Sequence, residues 1–167
     1  MIDEIDRQIL NILQQNARTP NAEIARQVGM APSAVLERIR KLETRGVIRG
    51  YEARIDPEAL GLNLLAFVFV RAEDTIEERT GEVLAQIPEV QEVHHIAGED
   101  CYLVKVRVPD AKRLARLLRE RFAGSGTVRS TRTTVVLETL RESAQIPVGA
   151  ATVPVALPVE QEEEVLS

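Results

Sequence analysis

Between Asn21 and Glu43 two short runs with helical spacing are separated by little more than a glycine, and this arrangement constrains the chain more than any other feature. In Ala22 to Val28, Ile24, Ala25 and Val28 fall on one face, and Asn21 is placed to cap the start. Gly29 ends that run, and Pro32, suited to a first helical turn, opens a helix through Arg45 with Val35, Ile39 and Leu42 inward; Gly46 stops it. An earlier helix over 3–15 carries Ile5, Ile9, Ile12 and Leu13 at i, i+4, i+7 and i+8, with Asp3, Glu4 and Asp6 in a first turn that favours negative charge. Two helices joined by a turn of about four residues containing Gly match the helix-turn-helix pattern, whose second helix lies in the major groove of DNA. With Val35 and Ile39 inward, Ser33, Ala34, Glu37, Arg40 and Lys41 face away from the core, and Arg38 lies on a flank. Any three-helix bundle also shows solvent a charged face, so the reading leans on the turn spacing and on the order of elements beyond residue 47.

From Val47 to Ile55 the pattern mixes period-two alternation with a glycine break, as a strand or an extended linker would, and Asp56-Pro57 ends it. Beyond it the periods predict a strand (Leu64–Arg71), a helix (Thr75–Ile87), two strands (Val90–Ala97 and Tyr102–Val108), a helix (Asp110–Phe122) and a strand (Val128–Leu140). Thr75-Ile76-Glu77-Glu78 reads as a capping box and Asp110 as a cap; Pro88 and Gly124 are stops. This β-α-β-β-α-β order predicts a ferredoxin-like layer with helices on one face of an antiparallel sheet and the other face uncovered. Phe67 and Phe69 share one side of the first strand, so sheet-mediated dimerisation is expected.

The expected class is therefore α+β: a helix-turn-helix (winged-helix-like) domain over 1–50, a linker strand and hinge over 51–62, a ferredoxin-like βαββαβ domain over 63–141, and an extended, partly mobile tail over 142–167. Pro147, Pro154 and Pro158 recur in that tail, and it ends in Glu160, Glu162, Glu163 and Glu164. Net charge is −5, yet residues 1–50 carry eight Lys/Arg against six Asp/Glu, so the basic excess sits at the front. That balance argues against coating nucleic acid through charge alone and leaves room for a small module with placed cations.

The longest apolar run, Leu62 to Val70, is interrupted by Asn63 and far short of the roughly 20 residues that span a bilayer, and the acidic start Met1 to Asp6 does not match a secretory leader. A cytoplasmic protein without a membrane partner is expected. One cysteine, Cys101, and two histidines are too few for a zinc site of protein side chains alone. His94 and His95 are adjacent on a strand and point to opposite faces, so neither a metal nor a nucleophilic role is assigned to them. A serine elbow and a phosphate-binding glycine motif are also missing, and no cofactor or catalytic residue is implied.

Several stretches resemble the leucine-responsive/asparagine-regulator (Lrp/AsnC) family of transcription regulators. Ile2-Asp3-Glu4-Ile5-Asp6-Arg7-Gln8-Ile9-Leu10 is similar to its opening, and Asn21-Ala22-Glu23-Ile24-Ala25 to its second helix. Ala31 to Glu43 with Gly46-Val47-Ile48 resembles its recognition helix and following strand, and Asp56-Pro57-Glu58-Ala59-Leu60-Gly61 its hinge. The resemblance runs from about residue 2 to 147. It implies an N-terminal DNA reader and a C-terminal effector domain that senses amino acids or related small molecules, in dimers that assemble further, often to octamers. It places the effector near a glycine loop between the second and third strands, here Ala97 to Tyr102. Many members have Gly-Asp-Tyr-Asp there; this chain has Gly98-Glu99-Asp100-Cys101, with the acidic group shifted by one position.

Gly98 suits close approach of backbone to a ligand, and Glu99 and Asp100 offer carboxylates to an α-ammonium group; Cys101 and Tyr102 complete the loop. A tight hairpin with two solvated acids would show the same residues. Thr131, Thr133 and Thr134 could add hydroxyls from a neighbouring chain, although alternating threonines are also what an exposed strand prefers. On the DNA side, Ser33 and Arg38 are expected at phosphates or base edges, and Arg40, Lys41 and Arg49 at phosphates. Glu37 could accept from a cytosine amino group, but an i, i+4 pair with Lys41 is favoured. Two reading heads on a two-fold dimer imply a pseudo-palindromic double-stranded operator with half-sites roughly 10 base pairs apart or a multiple. The function expected is sequence-specific transcription regulation under an amino-acid or related effector. The alternatives are a metabolic enzyme with a ferredoxin-like catalytic domain and a DNA-organising protein that ignores metabolites.

Overall fold

A computed structural model describes residues 1–73 and 77–149. The chain forms two units, one of Met1–Glu52 joined by the chain from Ser143, the other of Ala53–Glu142.

In the first unit, helices α1 (Glu4–Gln15), α2 (Asn21–Val28) and α3 (Pro32–Thr44) enclose a core of Ile9, Ile24, Ala25, Val28, Val35 and Ile39. Asp3 opens α1 with a reciprocal capping box: its carboxylate accepts from the Asp6 amide at 2.8 Å, and the Asp6 carboxylate accepts from the Asp3 amide at 3.2 Å. Asn21 lies inside α2 and does not cap it. Pro20 takes the cap position with extended backbone and its carbonyl accepts from the Glu23 and Ile24 amides. The residues from 49 to 56 make no strand.

The second unit is a four-stranded antiparallel sheet in the order β2-β3-β1-β4, from β1 (Leu64–Ala72), β2 (Val90–His95), β3 (Tyr102–Val108) and β4 (Val128–Val135). Two helices, α4 (Glu77–Ala85) and α5 (Ala111–Leu117), complete it. Ala66, Val68, Val70 and Ala72 of β1 and Tyr102, Val104, Val106 and Val108 of β3 share one face, buried with Leu84, Ile87, Leu114, Leu117 and Phe122. Each large side chain in such a core contributes about 1.5–3 kcal/mol. Phe67, Phe69, Leu103 and Lys105 occupy the opposite face and stay half-buried.

Several boundaries depart from the periodic reading. β4 ends at Val135 rather than Leu140, because β1 begins at Leu64 and offers a longer strand no partner; the last ladder bond is from the Val136 amide to the Leu65 carbonyl. β2 stops at His95, where the Ile96 amide turns to the Cys101 carbonyl. After Leu117, α5 widens into an i to i+5 turn, Leu118–Phe122, which carries Phe122 fully into the core. Asp110 caps α5 through the Arg113 amide. The capping box expected at Thr75-Ile76-Glu77-Glu78 begins outside the described residues. The tail beyond Gly149 also lies outside the described residues, while Gln145 and Ile146 are hydrogen-bonded to Gln14 of α1.

Candidate DNA-binding surface and ligand-binding site

The turn between α2 and α3 depends on Gly29, which adopts φ 69°, a region closed to most side chains; its amide and that of Met30 both bond to the Ala25 carbonyl. Ala31 is then extended and Pro32 starts α3, so the second helix leaves at a fixed angle. On its outer face Ser33, Glu37, Arg40 and Lys41 are exposed, Ala34 is half-buried, and Arg49 is exposed beyond the helix end.

Glu37 and Lys41 pair at 2.6 Å, and the ammonium holds the Glu37 carboxyl below its ordinary range. Arg38, expected at DNA, instead gives its Nη1 to Asp3 Oδ2 and Asp6 Oδ1, both at 2.7 Å. Its side chain is 29% exposed and that of Asp6 10%, so the bridge ties α3 to the start of α1 in a partly desolvated setting. The Asp6 amide and, next, Arg38 hold the Asp3 carboxyl below its usual value. Tyr51, not singled out in the sequence, donates its hydroxyl to Glu43 at 2.9 Å; burial, then that hydrogen bond and the Glu43 charge, push its phenol up to about 12.

At the other candidate site, Gly98 has φ 152°, with open space where a Cβ would stand, so glycine is required there by backbone conformation and not by crowding. Arg71 of β1 donates twice to the Glu99 carbonyl, at 3.0 and 2.8 Å. Arg132 of β4 reaches Asp100 Oδ2 at 3.0 Å and lies 4.1 Å from the centre of the Phe69 ring. The Cys101 amide bonds to the Val70 carbonyl. The loop is thus sewn to the sheet by two arginines that the sequence reading missed. Only the register reveals them, through the pairing of Phe69 with Arg132.

The predicted effector residues do not all converge. Asp100 is 17% exposed and engaged, Glu99 is exposed, and Tyr102 is buried against the helices, stacked on His95. Thr131 and Thr133 pair with Val70 and Val68, so they share the helix-covered side; Arg132 and Phe69 lie on the open one. Thr134 is opposite Phe67 on that open side. His94 contacts Glu92 at 3.0 Å, and Glu92 in turn accepts from Lys105, away from the His95 ring.

Comparison with known proteins decides the family. The AsnC-type helix-turn-helix domain matches residues 2–43, and the Lrp/AsnC ligand binding domain matches residues 65–146. The leucine-responsive regulatory protein of Escherichia coli is 38% identical over 148 residues, covering 87% of this chain and 90% of that protein. The chain belongs to the Lrp/AsnC family of transcription regulators. Solved regulatory proteins agree in fold. The feast or famine regulatory protein of Mycobacterium tuberculosis, complexed with L-methionine, superposes with a TM-score of 0.82 at 37% identity, over 87% of this chain and 99% of that one. A Neisseria meningitidis transcriptional regulator in complex with L-methionine gives 0.83 at 28% identity, over 88% and 97%. In Lrp/AsnC terms, α1 to α3 belong to the helix-turn-helix domain, and the sheet with its Gly98 loop belongs to the ligand-binding domain.

Proposed function

We propose that this regulator reads a pseudo-palindromic operator as a dimer or larger assembly of dimers in the cytoplasm, under the control of a small neutral amino acid. The observation that carries the DNA half is the exposed α3 face of Ser33, Glu37, Arg40 and Lys41, extended by Arg49, with the helix angle set by Gly29 and Pro32. Arg40, Lys41 and Arg49 supply phosphate contacts that fix register, and Ser33 and Glu37 stand nearest to base edges.

For the effector, support comes from the Gly98–Asp100 loop and from the relatives solved with L-methionine or named for leucine. Glu99 offers an exposed carboxylate to an ammonium group, and Arg132 and Arg71 stand beside it to meet a carboxylate, so the loop carries both charges that an amino-acid backbone needs. The half-buried Phe67, Phe69 and Leu103 on the open side are the surface a second sheet would cover.

The test is a mobility shift on DNA from upstream of the protein's own coding region, at physiological salt with excess competitor DNA, repeated with each of the twenty amino acids. The expected result is a specific shift whose midpoint moves about 5–150-fold with methionine, leucine or a similar side chain, and moves less in Arg132→Ala. No specific shift would sink the operator reading; a shift that no amino acid alters would sink the effector reading alone.

A further inference from the structure

The chain crosses between its two units twice, once at Glu52–Ala53 and again at Glu142–Ser143. On one side of the second crossing Glu142 is bonded inside the ligand-binding unit, to Lys105 through its carboxylate and to Arg54 through its carbonyl. On the other side, only Ser143 and Ala144 intervene before the chain is bonded to α1. There the Gln14 amide imitates a strand neighbour. Its Nε2 donates to the Ile146 carbonyl at 3.0 Å, and its Oε1 accepts the Ile146 amide at 2.8 Å. The Gln145 Nε2 donates to the Gln14 carbonyl at 3.0 Å, one of the carbonyls that the end of α1 leaves without a helical partner.

Gly149 then passes close to Arg7, where a Cβ would come within 3.2 Å of the Arg7 Cδ. Gln14 and Arg7 are seven residues apart, two turns of one helix face, so 145–149 runs back along α1 as a strap. The bonds that hold this strap are solvent-exposed, so it adds little to the stability of the helical core.

From these contacts we infer that Gln14 is a positioning residue for operator recognition: it holds the C-terminal strap as a second tether that limits how far each DNA-reading unit can swing on its linker. A unit held by one extended linker samples many orientations. A second attachment three residues from an anchored Glu142 removes most of them, and that raises the effective concentration of the second reading head at one half-site separation and lowers it at others. The inference rests on the two-fold operator reading above.

The experiment uses the full chain and synthetic duplexes built from a half-site selected out of random DNA: one copy, two copies at the selected spacing, and two copies with five base pairs inserted. Five base pairs turn the second half-site by about half a helical turn. Wild type is expected to lose about tenfold or more on insertion, whereas Gln14→Ala loses no more than about threefold and keeps its single half-site affinity within about twofold. Gln14→Glu, which accepts the Ile146 amide and cannot donate back, falls between. A structural role alone would weaken all three duplexes alike. Should Gln14→Ala lower the melting temperature, Gln145→Ala and a truncation removing 144–167 carry the same comparison. Folded variants that keep the wild-type loss on insertion overturn the strap. A wild type indifferent to insertion overturns the two-fold operator reading, and the strap's role with it.

Discussion

Arg38 and Arg40 are two residues apart on one helix, carry the same charge, and stand in different surroundings. Arg38 is bound to Asp3 and Asp6, so Arg38→Ala leaves the buried Asp6 carboxylate without its cation. We expect it to lower the stability of the helical unit by about 1–2 kcal/mol in urea unfolding, with any loss of DNA affinity following that loss of order. Arg40 is exposed on the α3 face. Arg40→Ala should leave the unfolding midpoint unchanged, weaken binding to all sequences alike, and reduce the slope of log affinity against log salt by about one, measured by fluorescence anisotropy. The helical period separates the two only as outer face and flank. The difference arises from the pairing of α1 with α3, a contact over more than thirty positions.

At the scale of elements, the start of α1 is where chemistry and fold meet. Its capping box closes on two carboxylates, one of them shared with α3. Asp3 titrates below its ordinary 3.8 in the folded chain, and Glu23 on α2 is held to about 2 by Arg26 and Gln27. A carboxyl with a depressed folded value adds stability above its unfolded value and loses it as pH falls through the folded one. The helical unit should therefore hold its melting temperature down to about pH 4.5 and lose it progressively toward pH 2. Asp3→Asn should flatten part of that limb, followed by circular dichroism at 222 nm. The Gly98 loop is the corresponding element of the other unit. Its glycine and acids are legible in the chain; Arg71 and Arg132, which hold them, lie on strands whose register had to be formed first.

At the scale of the whole molecule, one sheet face is covered by α4 and α5, and the other shows Phe67, Phe69 and Leu103 around Lys105. Phe67 does not belong to the helix-side core, so Phe67→Asp should leave the unit folded. On the proposal that a second sheet covers this face, a carboxylate there should raise the dimer dissociation constant on the order of tenfold or more, read by sedimentation velocity. A variant that sediments like wild type would move the contact to another surface.

The amphipathic periods, the Gly29 and Pro32 punctuation, and the order of strands and helices follow from local rules of backbone geometry and burial, so the residues alone determined the helix-turn-helix and the ferredoxin-like layer. The extra turn that buries Phe122, the early end of β4 and the bonded strap depend on which segments meet. Those meetings decided that Arg38 braces α1, that Thr131 and Thr133 face the helices, and that Gln14 receives Ile146. A local period specifies which face of an element is apolar. What a polar side chain touches is set only when distant segments are brought within hydrogen-bonding distance.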